Sequence, residues 1–276
     1  MSRPAARPAA NPRLFSTPEA KRIKKEIRAV GHKLLLRQFV DGNGGNISYR
    51  IGPNEVICTP TMLSKFDLRA RDLCMVDLDG NQIAGSLQAT SEILLHLEIY
   101  KKVPEAKAAV HCHPPHATAY AITGLVPPTG IVPEYEIFIG KVAVAPYQTP
   151  GTQAFAETVL PFVKEHNAIL LGNHGVVTWA DTPTLAEWHC EILETYCATI
   201  AHARQLSAPI ASISEEKCKD LVARRKRTGF PEQRRETAAA KKSKRAVQPA
   251  AARFSEAEIE ALVKRVTREV LKEIGA

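Results

Sequence analysis

The segment that decides the fold is an apolar run closed by two histidines and two prolines, Lys107-Ala-Ala-Val-His-Cys-His113-Pro114-Pro115. A short apolar run that ends at proline is typical of a buried strand. Successive side chains of a strand point to opposite faces, so His111 and His113 share one face and Cys112 points to the other. Two imidazoles placed in this way form a natural half of a zinc site.

Strand and helix patterns follow one another on both sides of this run. Apolar spacing predicts helices from Thr17-Pro18 to about residue 39, over 91–102, after Pro115, over 152–165 and over 183–206. Further strands are predicted at 47–51, 55–59, 75–78, 141–145 and 168–172. Several of these strands follow each other across short turns, which predicts an α/β sheet with antiparallel pairs and helices packed on its faces.

The composition excludes several classes of protein. The chain has 276 residues, of which 45% are hydrophobic and 24% charged, so it is neither collagenous nor wholly disordered. It has no stretch near the roughly 20 apolar residues of a transmembrane helix. Its first residues lack the apolar core of a secretory signal. Six cysteines without a C-x-x-C pair indicate free thiols and a cytoplasmic location.

The net charge of +8 is unevenly distributed. Residues 221–253 hold eleven Lys or Arg against two Glu, whereas residues 19–220 hold 19 basic against 22 acidic residues. Such a run is usually a solvated linker, so we expect no nucleic-acid or membrane partner, with phosphate-backbone binding as the alternative. We therefore predict a disordered segment at 1–18, a folded domain at 19–210, a basic flexible linker at 211–253 and an amphipathic helix at 254–276.

The predicted terminal helix has one continuous apolar face. Ser255 and Glu258 form a capping box, and the apolar residues after it recur at helical spacing: Ile259, Leu262, Val263, Val266, Val270, Leu271 and Ile274. A tethered helix of this length has no core of its own to bury that face. It must dock either on its own domain or on a separate partner, and the length of the linker favours a partner.

Three further motifs offer groups for chemistry. The glycines of Gly42-Asn-Gly-Gly-Asn-Ile-Ser48 permit either a tight turn or a close backbone approach to phosphate. Thr90-Ser-Glu92 opens a helix at its anion-binding end. Asn173-His174-Gly175 follows an apolar strand on a loop, which is a common position for functional side chains.

Six motifs follow one another in the order Gly45-Asn-Ile-Ser48, Thr59-Pro-Thr61, Thr90-Ser-Glu92, His111-Cys-His113, Ala145-Pro-Tyr-Gln-Thr-Pro-Gly-Thr152 and Asn173-His-Gly175. This order resembles that of the class II zinc aldolase/adducin-head family, over about residues 19–210. The likeness is greatest to the branch that acts on L-fuculose 1-phosphate. It implies a mainly antiparallel sheet flanked by helices in a three-layer α/β/α fold, and a homotetramer with active sites between subunits.

The resemblance also implies roles for particular residues. It implies a Zn²⁺ bound by His111, His113 and His174, with Glu92 as the acid/base that can also bind the metal. Tyr135 matches, in a loose alignment, a catalytic tyrosine that enters the neighbouring subunit's site. The positions that match phosphate-binding residues are Gly45, Asn46, Thr61, Thr90 and Ser91. Two departures are Met62, where the family has glycine, and Pro150, where it has an aromatic residue.

These roles predict an aldolase that cleaves L-fuculose or L-rhamnulose 1-phosphate to dihydroxyacetone phosphate and lactaldehyde. The terminal helix resembles encapsulation peptides, which implies a microcompartment shell or cargo partner and a location in the microcompartment lumen. A pentulose-phosphate 4-epimerase, which carries Asp where Glu92 stands, and a methylthio-sugar-phosphate dehydratase are same-fold alternatives. A non-enzymatic adducin-like scaffold is a third alternative, although such proteins typically lack the metal histidines.

Overall fold

One eight-stranded sheet organises the chain. A computed structural model describes residues 8–207 and 209–227, with side chains up to residue 223. The strands lie in the order β4-β3-β2-β1-β5-β8-β7-β6. Their bounds are β1 Asn46–Arg50, β2 Glu55–Cys58, β3 Cys74–Asp77, β4 Gln82–Ala84, β5 Ala108–Cys112, β6 Ala143–Ala145, β7 Ala168–Leu171 and β8 Gly175–Ala180. Every pairing is antiparallel except that of β6 with β7, which is parallel.

Helices cover both faces of this sheet. Their bounds are α1 Pro18–Leu36, α2 Ile93–Lys102, α3 Pro115–Thr123, α4 Pro133–Phe138, α5 Gln153–Glu157, α6 Pro183–Leu206 and α7 Glu215–Arg227. Apolar residues of α2 and α5 pack on one face, while those of α1, α3, α4 and α6 pack on the other. The predicted fold, a mainly antiparallel sheet flanked by helices, is confirmed.

The first helix shows how local sequence sets an element. The Thr17 hydroxyl accepts a hydrogen bond from the Ala20 N–H at 3.2 Å, and Pro18 occupies the first turn. Its buried residues recur every three or four positions and face the sheet: Ala20, Ile23, Ile27, Val30 and Leu34. The helix therefore begins where the sequence predicted and ends a few residues earlier.

Other elements differ from the sequence predictions. The helix predicted over 152–165 ends at Glu157 and continues as turns, in a stretch that includes Pro161, which has no N–H to donate. The helix Pro133–Phe138 was not predicted, because six residues give too little periodicity. A 3-10 helix at Pro12–Ser16 and the helix α7 lie in the ranges predicted as disordered segment and linker.

Most of the predicted linker and the whole terminal helix at 254–276 lie outside the described residues. Within the described part of the chain, no helix combines the length and the apolar character that crossing a bilayer requires.

Candidate metal centre

Strand β5 and the residue directly after it supply two of the three predicted metal ligands. It lies in the middle of the sheet, between β1 and β8. His111 is fully buried on the face covered by α2 and α5, and His113 follows the end of the strand, where its N–H donates to the Phe39 carbonyl at 2.8 Å. Cys112 points to the opposite face, where its sulfur lies 3.0 Å from that of Cys190. The predicted alternation of these side chains is confirmed.

The third histidine comes from the turn between β7 and β8. This turn is short, and Asn173 adopts a left-handed conformation with φ of 55°. The His174 N–H donates to the Leu171 carbonyl at 2.9 Å, which fixes the turn. Since β8 is the direct neighbour of β5, this turn brings His174 to the end of the strand that carries the other two histidines.

The three imidazoles form one cluster. Their ring centroids lie 4.9 Å apart for His111 and His113, 4.6 Å for His111 and His174, and 5.1 Å for His113 and His174. One nitrogen of each ring lies within 4.8 Å of the others, which suits a shared metal ion. Three residues from two separate parts of the sequence thus meet at one point.

Glu92 is the residue directly before α2, and its carboxylate faces this cluster. Its Oε2 atom lies 3.2 Å from Nε2 of His111, and its Oε1 atom lies 3.5 Å from Nε2 of His174. The side-chain amide of Asn46 donates to Oε2 at 2.9 Å. Both oxygens of the carboxylate are therefore held, Oε2 by Asn46 and His111 and Oε1 by His174.

The surroundings shift the pKa values of these groups. Burial favours the neutral acid, but hydrogen bonds from His111 and Asn46 and the charges of the imidazoles outweigh it and lower the pKa of Glu92 to about 2. Burial, together with the neighbouring His111, lowers the pKa of both His113 and His174 to about 4. At neutral pH the site therefore presents a carboxylate beside two neutral imidazoles, those of His113 and His174.

The donor set fits a divalent metal ion. The Val176 carbonyl lies 2.9 Å from Nδ1 of His111, so that nitrogen carries a hydrogen and Nε2 is the atom that would offer its lone pair to a metal ion. This Nε2 faces Nε2 of His113 at 3.2 Å and the Glu92 carboxylate at the same distance. Such electron-rich atoms repel one another unless a cation or a proton lies between them. Three imidazoles are ligands that zinc prefers, and they would hold it.

The predicted phosphate-binding residues gather beside Glu92. The N–H of Thr61 donates to the Gln88 carbonyl at 3.0 Å, and the N–H of Thr90 donates to the Thr59 carbonyl at 3.1 Å. These two bonds bring the Thr61 loop to the start of α2, where Ser91 is exposed. Gly45 and Asn46 approach from β1, since the Asn46 amide reaches Glu92.

Gly45 has a specific steric reason to be glycine. Its φ is +70°, and a Cβ atom there would lie 2.5 Å from the Val40 side chain and 2.9 Å from the His111 carbonyl oxygen. Met62 adopts φ of 54°, also in the left-handed region, and its side chain is 79% exposed. The position where the family has glycine therefore keeps a glycine-like backbone conformation in this chain. The structure gives no account of Pro150, which is exposed.

Tyr135 does not join the cluster. Its ring projects from α4 into the core, where it is fully buried and stacks on Tyr196 of α6 with the ring centroids 3.8 Å apart. The predicted catalytic role in a neighbouring subunit needs a ring that extends out of its own chain. The catalytic role of Tyr135 therefore stays a prediction.

Sequence reasoning missed two supports of the histidines. A Cβ atom at Gly175 would lie 2.5 Å from the Cys112 carbonyl oxygen and 2.7 Å from Cδ2 of His113, so only glycine lets β8 pass this close. The ring centroids of Phe155 and His174 lie 5.3 Å apart. The glycine after His174 was a usable signal for the first support, whereas nothing in the sequence pairs Phe155 with His174.

His96 forms a polar network behind the site. It is fully buried, and its Nδ1 lies 2.7 Å from the Ser48 hydroxyl, which also contacts the Tyr100 hydroxyl at 2.7 Å. Burial, aided by the charge of His111, lowers the pKa of His96 to about 3. His96 is therefore a neutral member of the core that supports the site.

Comparison with known proteins gives the chain a family. The model of the family described as Class II Aldolase and Adducin N-terminal domain matches residues 25–201. The 3-oxo-tetronate 4-phosphate decarboxylase of Haemophilus influenzae is 35% identical over 178 residues, which cover 62% of this chain and 84% of that protein. The L-fuculose phosphate aldolase of Methanococcus vannielii is 36% identical over 170 residues, which cover 62% of this chain and 91% of that protein.

A third relative and a solved structure extend these matches. The 5-deoxy-D-ribulose 1-phosphate aldolase of Bacillus thuringiensis is 30% identical over 201 residues, which cover 72% of this chain and 93% of that protein. A solved L-fuculose 1-phosphate aldolase superposes with a TM-score of 0.69 at 26% identity, and the match covers 77% of this chain and 99% of that one. The chain therefore belongs to the Class II Aldolase and Adducin N-terminal domain family and is a lyase of the aldolase type.

Proposed function

We propose that this protein is a zinc-dependent aldolase that cleaves L-fuculose or L-rhamnulose 1-phosphate to dihydroxyacetone phosphate and lactaldehyde. The observation that carries the proposal is the convergence of three imidazoles and Glu92 beside a loop suited to phosphate. The similarity to an L-fuculose phosphate aldolase over 91% of that protein supports it.

The histidines supply three neutral ligands. Zinc bound by them acts as a Lewis acid that stabilises negative charge on substrate oxygen atoms. His111 keeps its Nε2 lone pair available because Nδ1 is held by the Val176 carbonyl. The chain's task is thus to hold the imidazoles neutral and in place.

Glu92 is suited to move a proton. When the C3–C4 bond of the ketose phosphate breaks, the C4 hydroxyl loses its proton to form the aldehyde, and the electron pair of the bond remains at C3. A proton must then be added at C3 to give dihydroxyacetone phosphate. Glu92 is ionised, and both of its oxygens face the cluster, so it can accept the proton that the C4 hydroxyl releases and deliver it to C3.

The phosphate is expected to lie at the start of α2. Gly45 and Asn46 approach from β1, while Thr61, Thr90 and Ser91 contribute hydroxyl groups near Glu92, because the N–H groups of Thr61 and Thr90 already donate to carbonyl oxygens. Backbone N–H groups at a helix start are well suited to an anion. Their closeness to the histidines fits a short phosphorylated substrate that spans both.

Decarboxylation is a second candidate, favoured by the 35% identity with a 3-oxo-tetronate 4-phosphate decarboxylase. Both reactions leave an electron pair on a carbon next to a carbonyl group, so the same metal and acid could serve either. They differ in the group that leaves, which is an aldehyde in one reaction and carbon dioxide in the other.

Products measured on the metal-loaded full chain separate these functions. Aldehyde release from L-fuculose or L-rhamnulose 1-phosphate supports the proposal, and comparison of their kcat/KM values identifies the preferred configuration. If only 5-deoxy-D-ribulose 1-phosphate releases an aldehyde, the protein is an aldolase whose substrate is this shorter sugar phosphate. Carbon dioxide from 3-oxo-tetronate 4-phosphate, with no aldehyde from any ketose phosphate, would replace the aldolase proposal by the decarboxylase.

We also propose a homotetramer whose residues 254–276 bind a microcompartment shell or cargo protein. The amphipathic pattern of that segment and the aldehyde product support this assignment. Fusion of the segment to a fluorescent protein should give punctate fluorescence in cells that form shells, and diffuse fluorescence would contradict the proposal. Light scattering of the full chain measures the assembly, and a monomer would contradict the tetramer.

A further inference from the structure

Lys65 is a buried lysine that joins two loops of the candidate site. Its side chain is only 1% exposed, although lysine is among the residues least often buried. Its Nζ atom donates to the Asn43 carbonyl at 3.3 Å and to the Leu63 carbonyl at 3.3 Å. Asn43 belongs to the glycine-rich loop before β1, and Leu63 follows Thr61 in the second loop.

The ammonium group of Lys65 has no anionic partner within the described structure. Burial alone lowers its pKa to about 8, because no charged group among the described residues compensates it. At neutral pH the group is still mainly protonated. A buried charge held only by neutral carbonyl oxygens is electrostatically incomplete, so an anion nearby would be favoured.

The loop whose Asn43 carbonyl accepts from Lys65 also borders the histidines. A Cβ atom at Gly44 would lie 3.3 Å from Nδ1 of His113, and one at Gly45 would lie 2.9 Å from the His111 carbonyl oxygen. The two loops touch again where the Asn43 amide contacts the Met62 sulfur at 3.0 Å. The positive charge of Lys65 therefore lies against two loops that touch each other, one of which borders the metal centre.

We propose that Lys65 is the positioning cation of the substrate's phosphate subsite. Its ammonium holds the Asn43 and Leu63 loops together and adds positive charge beneath them, which favours a dianionic phosphate over an uncharged group. The inference rests on the proposed function in that it takes the substrate to be phosphorylated. It gives the subsite a charge-based selectivity that hydroxyl and N–H groups alone supply more weakly.

Lys24 provides a matched control for the loss of a buried lysine. It is 9% exposed on α1, and its Nζ lies 3.0 Å from the centroid of the Phe15 ring. Its partner is thus an aromatic ring in the N-terminal segment instead of a site loop. Replacement of Lys24 tests whether the loss of any buried lysine side chain weakens phosphate binding.

The test compares Lys65→Met with Lys24→Met in the zinc-loaded full chain, with inorganic phosphate as the probe. For Lys65→Met we expect the dissociation constant of phosphate to rise about tenfold to 100-fold, which is typical for loss of a charged contact. The KM for the phosphorylated substrate should rise in parallel, while kcat and zinc content change less than about threefold. Lys24→Met should bind phosphate like the wild type. If Lys65→Met does not fold, Lys65→Gln replaces it with the same expectation.

The outcomes separate this inference from the proposed function. Wild-type phosphate affinity in a folded, zinc-loaded Lys65→Met or Lys65→Gln variant would overturn the inference even if the protein is an aldolase. An equal loss of phosphate affinity in Lys24→Met would overturn it as well. A Lys65-dependent affinity for phosphate in a protein that cleaves none of the ketose phosphates would leave the inference standing and refute the aldolase.

Discussion

Asn46 and His111 are direct partners in the antiparallel pairing of β1 and β5. The Asn46 amide donates to the Glu92 carboxylate at 2.9 Å, and His111 approaches the same oxygen atom at 3.2 Å. One register position of the sheet therefore fixes both neighbours of the proposed acid/base. A shift of β1 by one residue would turn Asn46 to the other face and leave Glu92 without its amide donor.

Replacement of Asn46 by Ala should raise the pKa of Glu92, because it removes a hydrogen bond that stabilises the carboxylate. We expect kcat to fall about tenfold and the acidic limb of the kcat–pH profile to move to higher pH. Zinc content should stay at the wild-type level, since Asn46 faces the carboxylate. An acidic limb that stays in place or moves to lower pH would contradict this account.

Glu92→Gln should keep zinc and lose most turnover. The amide preserves the size of the side chain but cannot carry a proton, so kcat should drop by about 10²-fold to 10⁴-fold. Metal analysis and steady-state kinetics on the same preparation check both parts. Turnover at the wild-type rate would mean that another group moves the proton.

Zinc binding should depend weakly on pH near neutrality. The pKa values of His113 and His174, about 4, leave both rings neutral well below pH 6, so protons do not compete for them there. We expect the zinc dissociation constant, measured against a competing chelator, to rise less than about tenfold between pH 7.5 and 6. Three rings with an ordinary pKa of about 6.5 would give a rise of about fiftyfold.

Gly175→Ala should weaken both the fold and the metal centre. Its methyl group would press on the Cys112 carbonyl oxygen, a backbone atom, and on the His113 ring. We expect a loss of about 1–3 kcal/mol in the free energy of unfolding and weaker zinc binding. Denaturant unfolding with and without zinc measures the two effects. As a control, Gly124→Ala should leave zinc binding unchanged, because a Cβ atom at Gly124 has open space.

The titration of Glu187 should lower the free energy of unfolding as the pH rises from about 4.5 to 7. Burial, reinforced by the nearby Glu191, outweighs the hydrogen bond from Lys33 and raises the pKa of Glu187 to about 7. Between about pH 4.5 and 7, Glu187 therefore keeps a proton in the folded state that it releases in the unfolded chain. The stability that this bound proton contributes is complete below pH 4.5 and is lost by about pH 7.

Glu187→Gln removes this titration. The free energy of unfolding of the variant minus that of the wild type should therefore grow between pH 5 and 7.5. Urea unfolding at several pH values measures this difference. A difference that stays constant or shrinks would contradict the assigned protonation.

Much of the site could be predicted because it follows from strand periodicity and short motifs. The alternation of His111, Cys112 and His113 needs only the two-residue repeat of a strand. The burial of Lys65 could not be predicted, because a lysine in a polar loop normally lies in solvent. Tertiary packing buries it, against the loop at Asn43 and against α1 near Gly31. The packing of Tyr135 could not be predicted either, because its role came from a loose alignment and its stacking on Tyr196 is a tertiary contact.

Strand β5 lies in the middle of the sheet and is hydrogen-bonded along both edges. The position of the metal ligands is therefore fixed by the sheet, whereas the residues around the substrate lie on loops that can change. His111 is anchored by a ladder that spans the sheet, while Thr61, Met62 and Pro150 lie on connections at its rim. Substitutions on these connections can change the shape that receives a substrate without disturbing the imidazoles. Evolution could therefore redirect such a scaffold from one carbon–carbon cleavage to another by rewriting its loops alone.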